Sequence, residues 1–460
     1  MWSLKLTESR FALPLIILAA FVVRIITLGS ESYWFDEIWA VKQSQSPLAV
    51  LLDSLTREDV HPPLYPVLLW SWIRMVGTSE WSTRLLSVLF STASVWAIFA
   101  LGRVLYNRSV GLVAAALLAF QGFAVFYAQE SRAYSLLLLT SLLSTYLLIH
   151  WSTRVQCKKS MALYIVAATA LAYTHVYGLF LLLAHGVWVL GWVPELRKRM
   201  IVAGTLVLLC FSPWLPVFLS QVGRVEKSFW IEAPTLIDLP KWLYYWAGYN
   251  PVAGIIFALL AYLGIKHTNN LPQRRLMLLW TLMLVVLPVL ISLFSTPIFH
   301  HKYAIAFLGV ICILAARGFV SLPAARQTLS AGIIFFVLLT GVVWQLYLKD
   351  NKEQWRELAE IGRNAHARGD IVAADAFNRP YLPYYLSDTP IFWVKEEADL
   401  NALEGLARFR KVEFVYLQVH PPKSPLSDTM NQRFDSQKKQ RLHRAQAVHY
   451  SVKSLQRHKR

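Results

Sequence analysis

Charge is scarce in this 460-residue chain: 16% of its residues are charged, whereas 56% are hydrophobic and the mean hydropathy is +0.43. This composition excludes a disordered chain and an ordinary soluble enzyme, and it requires many membrane-spanning helices. The net charge of +18 could suggest a nucleic-acid partner, but the basic residues stand in short clusters between apolar runs and in a C-terminal tail. We therefore expect contacts with membrane lipids and none with nucleic acid.

Cysteines and nucleotide-binding motifs are also scarce or missing. Cys157, Cys210 and Cys312 lie far apart, so their spacing predicts neither a disulfide framework nor a metal site. The sequence has no internal repeat, no P-loop, no GxGxxG and no HExxH. The first apolar run lacks a small-residue cleavage site, so we interpret it as a retained span and not as a signal peptide.

Apolar runs long enough to cross a membrane follow one another up to residue 348. A span needs about 20 apolar residues. The uncharged run 161–193 is too long for one crossing, so we divide it near His175. The prediction is eleven spans, at 11–28, 85–105, 110–128, 133–151, 161–177, 178–193, 201–219, 251–265, 276–294, 303–320 and 329–348.

The orientation follows from the loops. Lys and Arg are several times denser in 1–10 and in every second loop after it than in the alternate loops. The positive-inside rule then places the N-terminus in the cytoplasm of a cell (inner) membrane protein. Segment 61–76 is apolar enough to be a span, but counting it as one would move every later loop to the opposite side of the membrane and place the basic loops outside. We predict that it is an interfacial helix on the outer surface.

After residue 348 the pattern changes to alternating helices and strands. The fold class is therefore an all-α polytopic membrane protein with a small extracytoplasmic α/β domain. We predict a membrane domain over 1–348, the α/β domain over 349–429 and a flexible basic tail over 430–460. The tail would contact lipid head groups or anionic glycans, and its removal should leave turnover largely intact.

Two adjacent carboxylates, Asp36 and Glu37, follow the first span and lie among Trp34, Phe35 and Trp39. Such aromatic rings prefer a membrane interface, which would place the carboxylates just outside the hydrocarbon. A carboxylate there can accept a proton or ligate a divalent cation such as Mg or Mn. The simpler alternative is a solvated acidic pair in a surface loop.

Short motifs follow one another in the same region, and each is weak alone. Together they resemble the GT-C membrane glycosyltransferases, specifically glycosyltransferase family 39, which is protein O-mannosyltransferase-like and includes the lipid A aminoarabinose transferases. The similarity covers roughly residues 10–320. The motifs are Arg24, Leu28-Gly29, Trp34-Phe35-Asp36-Glu37, His61-Pro62-Pro63-Leu64-Tyr65, Arg84-Leu85 and Gln129-Glu130-Ser131-Arg132-Ala133-Tyr134.

The resemblance implies a donor sugar carried on a polyprenyl phosphate and an acceptor on the outer face. Asp36 matches the acidic residue that acts as catalytic base in the family, and His61 matches a position near the donor phosphate. Two departures stand out: His300-His301-Lys302 replaces a frequent Arg-Tyr, and Gln129-Glu130-Ser131-Arg132 replaces the second aspartate of the aminoarabinose transferases.

Transfer from such a donor requires a base for the acceptor hydroxyl and cations for the departing phosphate. Asp36 and Glu37 are the catalytic candidates, and both are candidate metal ligands. Several other candidates also have a simpler structural explanation. Arg24 could snorkel to the interface and His61 could cap a turn. Glu130 and Arg132 could be loop charges, and His300-His301-Lys302 could be an interfacial anchor. The candidate substrate-binding residues are Arg24, Trp34, His61, Tyr65, Glu130, Arg132, Tyr134, His300, His301 and Lys302.

The functional hypothesis is an inverting transfer of a sugar from a polyprenyl phosphate to a lipid, glycan or protein acceptor, with Asp36 as base. One alternative is a transporter or flippase, which charges buried in mid-span or broken helices in matching halves would favour. A structural scaffold of the cell envelope is a third reading. The sequence has neither of the features that favour a transporter, and a scaffold would not predict a carboxylate pair at a membrane interface.

Overall fold

The computed structural model describes residues 9–227, 231–419 and 425–452. The chain forms two compact units. The membrane unit consists of Met1–Leu28 and Gln43–Lys349, and the α/β unit consists of Gly29–Lys42 and Asp350–Arg460. The predicted boundary near residue 348 is present, but segment 29–42 belongs with the C-terminal residues. The chain therefore passes three times between the units.

Helices account for nearly all regular structure before residue 348. Every predicted span falls on one or two helices, and the break predicted near His175 separates two of them. The helices are α1 (Ala12–Ile25), α2 (Phe35–Gln45), α3 (Leu48–Arg57), α4 (Leu64–Val76), α5 (Glu80–Leu105), α6 (Arg108–Ala119), α7 (Gly122–Ala128), α8 (Tyr134–Ser152), α9 (Lys158–Thr174), α10 (Val176–Trp192), α11 (Arg197–Phe211), α12 (Leu215–Lys227), α13 (Asp238–Trp246), α14 (Pro251–Lys266), α15 (Leu271–Thr281), α16 (Leu287–Phe294), α17 (Leu308–Val320) and α18 (Ala324–Tyr347).

Length and apolar composition qualify six helical segments as membrane spans within the described residues, or up to eight if each of two bent pairs counts as one span. Shorter apolar helices include α1, α4 and α10. A π-helical segment, Leu282–Val286, joins α15 to α16. The prediction of a polytopic α-helical membrane protein is confirmed.

Two helices are broken, which the sequence pattern did not predict. Helix α7 is bent by 60° from α6, and α14 by 81° from α13. The side chain of Gln121 begins α7 by accepting the N–H of Ala124 at 2.7 Å, and its amide donates to the carbonyl of Trp246 at 2.7 Å. A Cβ on Gly122 would lie 2.6 Å from the carbonyl oxygen of Gly248. The two breaks thus pack directly against each other.

The α/β unit contains one five-stranded sheet with strand order β2-β1-β3-β5-β4. Strands β2, β1 and β3 are parallel, whereas β5 is antiparallel to β3 and to β4. Apolar side chains of both sheet faces are buried. The elements are α19 (Trp355–Ala367), β1 (Ile371–Asp375), β2 (Ile391–Val394), α20 (Glu397–Arg410), β3 (Phe414–Val419), α21 (Pro425–Arg433), β4 (Phe434–Leu442) and β5 (Ala445–Val452).

The prediction of a flexible tail from residue 430 is wrong for its described part. Residues 434–442 and 445–452 form a hairpin, and β5 buries Ala447 and Tyr450 beside β3. The basic side chains Lys438 and Lys439 are exposed on β4, which lies at the sheet edge. Charged edge strands of this kind resist edge-to-edge aggregation, and their composition resembles that of a solvated tail. Residues 453–460 lie outside the described residues.

Candidate functional site

The acidic segment 29–42 is fixed within the α/β unit by hydrogen bonds to the residues that follow the last span. Glu31 Oε1 accepts the backbone N–H groups of Asn351 at 2.5 Å and Lys352 at 3.3 Å. The hydroxyl of Ser32 donates to the carbonyl of Glu353 at 3.0 Å. A loop that looked solvent-exposed in the sequence is therefore attached to a folded domain.

Aromatic contacts hold the same segment. The ring of Phe35 makes edge-to-face contacts with three rings of the α/β unit, at centroid distances of 5.4 Å to Trp355, 5.7 Å to Phe377 and 4.7 Å to Tyr381. Each such pair contributes roughly 0.5–1.5 kcal/mol beyond its buried area. Phe35 thus anchors the first turn of α2 to protein. A substrate contact of the half-buried Trp34 ring stays a prediction.

Asp36 and Glu37 occupy the first turn of α2 but have different surroundings. Glu37 is completely buried, and its Oε2 lies 2.9 Å from Nζ of Lys352, whose side chain is 5% exposed. Asp36 is half-buried, and its charge adds to the burial that raises the pKa of Tyr381. The two adjacent carboxylates are therefore divided: Glu37 stabilises the segment, and Asp36 is the candidate base.

The two carboxylates do not fit a divalent cation site. Within the described residues, no group of three or more His, Cys, Asp or Glu side chains is arranged to hold a metal. The carboxylate of Glu37 has the ammonium of Lys352 as its partner. A cation such as Mg would need oxygen ligands in an octahedral arrangement. We therefore derive no catalytic step through a metal.

In the membrane unit, residues that are distant in the sequence form one cluster. The imidazole rings of His61 and His175 are 5.6 Å apart, and the ring of Tyr303 lies 4.9 Å from that of His175. Arg132 and Lys302 lie within electrostatic range of His175. We call these five residues the His–Lys cluster. It unites three predicted site residues, His61, Arg132 and Lys302, with His175 and Tyr303, which were not predicted to bind substrate.

Lys302 lies inside this cluster with 5% of its surface exposed. Its Nζ is 5.7 Å from the ring centroids of both Tyr134 and Tyr303. An ammonium over two aromatic faces is stabilised as a cation, and more strongly where water is excluded. Tyr134, a predicted substrate-binding residue, thus contacts the main cation of the cluster.

Asp59 orients His61, and the sequence analysis missed it. Asp59 Oδ1 lies 2.7 Å from His61 Nδ1 and accepts the backbone N–H groups of Val60 and His61 at 2.7 and 2.9 Å. Burial alone would raise the pKa of Asp59, but its contacts with His61 lower that pKa to about 2. The carboxylate stays ionised and fixes the ring through Nδ1–H, so that Nε2 is directed away from Asp59.

A cavity of about 290 Å³ begins at this cluster. Its polar end is formed by His61, His175, Gln221 and Tyr303. Gln221 is buried and donates to the carbonyl of His61 at 3.2 Å. The rest of the wall is mainly apolar and includes Val176, Phe180, Phe218, Val222, Val225, Ile291 and Ile298. We call it the amphipathic cavity, because the four polar side chains named above offer hydrogen bonds, whereas most of the remaining lining, apart from Glu226, Ser295 and Thr296, is hydrocarbon.

His300 and His301 do not strengthen the cluster as cations, contrary to the expectation of a basic His-His-Lys triplet. Burial, followed by the charge of Lys302, lowers the pKa of His301 to about 3. Burial and both neighbours lower the pKa of His300 further. The centroids of the two rings are 4.2 Å apart with an interplanar angle of 33°, and both rings are neutral near pH 7. Lys302 supplies the positive charge of this segment.

Arg24 has a structural environment. Its guanidinium is completely buried and donates to Ser91 Oγ at 2.8 Å and to the carbonyls of Ala20, Ala119 and Leu118 at 2.9, 2.8 and 3.2 Å. The last two carbonyls end α6, where a cation is favourable because helix C-termini carry partial negative charge. Its predicted role as a phosphate ligand does not fit these partners.

Tyr65 supports the turn that carries Arg132, and Glu130 lies in that turn. The hydroxyls of Tyr65 and Ser87 are 3.1 Å apart, and Ser87 also donates to the carbonyl of Arg132 at 3.4 Å. Glu130 is buried and lies within electrostatic range of Tyr249. Direct substrate contacts of Tyr65 and Glu130 stay predictions.

Comparison with known proteins agrees with this architecture. Residues 60–216 match the family model described as dolichyl-phosphate-mannose-protein mannosyltransferase. That segment includes His61, the broken helix α6–α7 and the turn with Arg132. No curated protein sequence matches the chain.

Solved structures match nearly the whole chain at low identity. ArnT from Cupriavidus metallidurans bound to undecaprenyl phosphate is 12% identical, with a TM-score of 0.63 over 96% of this chain and 98% of that one. Archaeal oligosaccharyltransferase AglB from Archaeoglobus fulgidus, in complex with an inhibitory peptide and a dolichol-phosphate, is 10% identical, with a TM-score of 0.56 over 90% and 69%. Arabinofuranosyltransferase AftD from Mycobacteria is 15% identical, with a TM-score of 0.54 over 97% and 40%.

The chain is thus a multi-pass membrane protein with a small C-terminal α/β unit. Its fold is that of the solved structures of ArnT, AglB and AftD, which agrees with the fold expected from the sequence.

Proposed function

We propose that the protein transfers a sugar from a polyprenyl-phosphate donor to an acceptor on the extracytoplasmic face of the cell membrane. The observation that carries the proposal is the amphipathic cavity. A polyprenyl phosphate has an apolar chain and an anionic head, and the cavity pairs a mainly apolar wall with His61 and His175, which has Arg132 and Lys302 within electrostatic range. Undecaprenyl phosphate and dolichol-phosphate occupy two of the similar structures, which supports the same ligand class.

In the proposed reaction the acceptor hydroxyl attacks the anomeric carbon of the donor sugar. Asp36 takes the hydroxyl proton, the new carbon–oxygen bond forms, and the bond from that carbon to the phosphate oxygen breaks. Lys302, Arg132 and the Nε2 side of His61 stabilise the negative charge on the departing polyprenyl phosphate. A single displacement from the face opposite the phosphate inverts the anomeric configuration. The extracytoplasmic position of the α/β unit follows from the distribution of Lys and Arg.

Substitution of Asp36 tests the chemistry. Asp36→Asn keeps the shape and hydrogen-bonding capacity of the side chain but cannot accept the proton. Turnover with a radiolabelled polyprenyl-phosphate sugar should fall by roughly 10²–10⁴-fold, the usual contribution of a positioned base. Expression and binding of polyprenyl phosphate should stay near wild type. Wild-type turnover by this variant would exclude Asp36 as the base.

Substitution of Lys302 tests the donor site. Lys302→Ala should weaken binding of polyprenyl phosphate by about 10- to 150-fold, because a charge-assisted hydrogen bond contributes roughly 1.5–3 kcal/mol. Asp59→Asn should give a smaller loss, because it leaves His61 in place without its orienting carboxylate. Lys227→Ala removes an exposed lysine of α12 and serves as the matched control. Unchanged donor affinity in both Lys302→Ala and Asp59→Asn would show that the donor does not bind at this cavity.

A transporter is the second candidate, because the structure does contain two broken helices. Their breaks pack on each other through Gly122 and Gly248 and offer no cluster of ion ligands among the described residues. The two candidates differ in one product. Release of free polyprenyl phosphate together with a glycosylated acceptor supports transfer, whereas movement of an intact lipid-linked sugar across a vesicle membrane supports transport.

A further inference from the structure

A second cavity, of about 540 Å³, lies in the membrane unit beside His300 and His301. We propose that it is the acceptor subsite and that it binds a neutral glycan. The assignment as an acceptor site rests on the proposed function, but glycan binding itself can be measured without turnover. We call it the polar cavity. It is lined by Ile231, Glu232, Ala233, Pro234, Thr235, Ile237, Asp238, Lys241, Trp242, Tyr245, Phe299, His300 and His301.

The polar and amphipathic cavities border the same short segment of chain. Ile298 and Tyr303 line the amphipathic cavity, and Phe299, His300 and His301 line the polar one. The ring centroids of His300 and Tyr303 are 5.6 Å apart. A transferase must bring two substrates to one reacting centre, so a second cavity across a few residues from the donor cavity is well placed for the acceptor.

The wall of the polar cavity offers flat aromatic surface. The rings of Trp242 and Phe299 are 4.4 Å apart, and those of Tyr245 and His301 are 4.2 Å apart at an interplanar angle of 30°. The backbone of His301 is fixed because its carbonyl accepts the indole N–H of Trp246 at 3.2 Å. Such rigid rings present large amphipathic contact areas at low entropic cost. They suit the apolar face of a pyranose ring.

The polar groups of the cavity favour hydroxyls over ions. His300 and His301 are neutral because burial lowers both pKa values, and a neutral imidazole can donate from one nitrogen and accept at the other. Lys241 is paired with Asp238 at 3.0 Å, so its charge is compensated. The exposed carboxylate of Glu232 adds a further acceptor and repels anions. A phosphate or a uronic acid is therefore a poor ligand, and a chain of neutral hexoses is a good one.

The lining also argues against a second lipid tail. Nine of the thirteen residues that line the polar cavity are polar or aromatic, whereas the amphipathic cavity has a mainly hydrocarbon wall. A lipid chain would cover the polar groups of Thr235, Lys241 and Glu232 without offering them any hydrogen bond.

Binding of neutral linear hexasaccharides, one gluco-configured and one manno-configured, tests the proposal by saturation-transfer NMR on the full-length protein. We expect at least one to bind wild type and its affinity to fall about three- to tenfold in Trp242→Ala, since one aromatic contact contributes roughly 0.5–1.5 kcal/mol. Ala233→Trp should abolish binding, because the indole added at this exposed position fills the cavity. Trp96→Ala removes an exposed tryptophan of α5 that lines neither cavity and should bind as wild type.

Three results would overturn the proposal: no binding of either neutral hexasaccharide to wild type, unchanged binding in both cavity variants, or tighter binding of a polyuronate than of the neutral chains. The proposed function fails differently. If wild type binds the hexasaccharides but transfers nothing from any polyprenyl-phosphate sugar, the glycan site stands and the transferase does not.

Discussion

Breaking the ion pair between Glu37 and Lys352 should disable the protein through the placement of Asp36. The two side chains are 0% and 5% exposed, and their charged atoms are 2.9 Å apart. Lys352→Met keeps most of the side-chain volume but leaves the carboxylate buried without its cation. Removing one partner of a buried pair costs roughly 3–5 kcal/mol, which is a large part of a typical unfolding free energy of about 5–15 kcal/mol.

The loss should be local, because the pair connects the first turn of α2 to Lys352 within the same unit. Glu31 and Ser32 still hydrogen-bond to residues 351–353, so segment 29–42 should loosen without complete unfolding. We expect kcat to fall at least about tenfold while the KM for the donor changes little, because the donor-binding candidates belong to the membrane unit. Lys395→Met, at an exposed lysine of the same unit, should change neither quantity.

A double-mutant cycle separates this positioning role from general damage. The charge-reversed variant Glu37→Lys/Lys352→Glu should recover part of the activity and thermal stability lost in each single variant, with a coupling free energy of at least about 1 kcal/mol. Turnover with a labelled donor and limited proteolysis of segment 29–42 are the two assays. Wild-type kcat and protease resistance in Lys352→Met would refute the reasoning. Two single losses that simply add would show that the pair has no specific coupling.

Three further outcomes follow from the structure. Burial and Lys302 lower the pKa of His301 from its ordinary 6.5 to about 3, so the unfolded chain binds a proton that the folded chain does not. Thermal stability should therefore decrease as pH falls from about 6.5 toward 3, by up to about 1.4 kcal/mol per pH unit, and His301→Phe should flatten the curve. Ending the chain at Arg433 removes β4 and β5 and should abolish turnover, whereas ending it at Val452 should not; full activity of the shorter chain would contradict the role of the hairpin. Turnover should survive EDTA, and a loss reversed by added Mg or Mn would contradict our reading of Asp36 and Glu37.

The helical architecture could be predicted from the sequence because membrane helices satisfy their own backbone hydrogen bonds. Apolar length placed each predicted span on a helix, and the uncharged run around His175 was divided at the correct place, but only six to eight of the described helical segments qualify as spans, against the eleven predicted. The two broken helices were missed because their breaks depend on tertiary contacts. The approach of Gly122 to Gly248 joins positions more than a hundred residues apart, and neither glycine stands in a strong turn motif.

The candidate site was predictable only in part. His61, Arg132 and Lys302 were found because they are polar residues near the ends of apolar runs. Asp59 was missed, although an aspartate two residues before a His-Pro-Pro sequence is a signal that could have indicated an oriented imidazole. Arg24 was misjudged because its sequence position shows a charge in a span but not the carbonyls of α6 that receive it.

Segment 29–42 illustrates a limit of reading motifs along the chain. Its residues looked like an interfacial loop because aromatic rings and carboxylates near a span end have that meaning on average. In the folded protein, Glu37 has its cation 315 positions away, at a lysine that the sequence showed only as part of a linker. A local pattern cannot reveal such a partner, since burial and pairing are properties of the fold. For the same reason, residues 351–353, which carry no motif, can control the residue proposed to do the chemistry, because their contacts with Glu31, Ser32 and Glu37 hold the turn that carries Asp36.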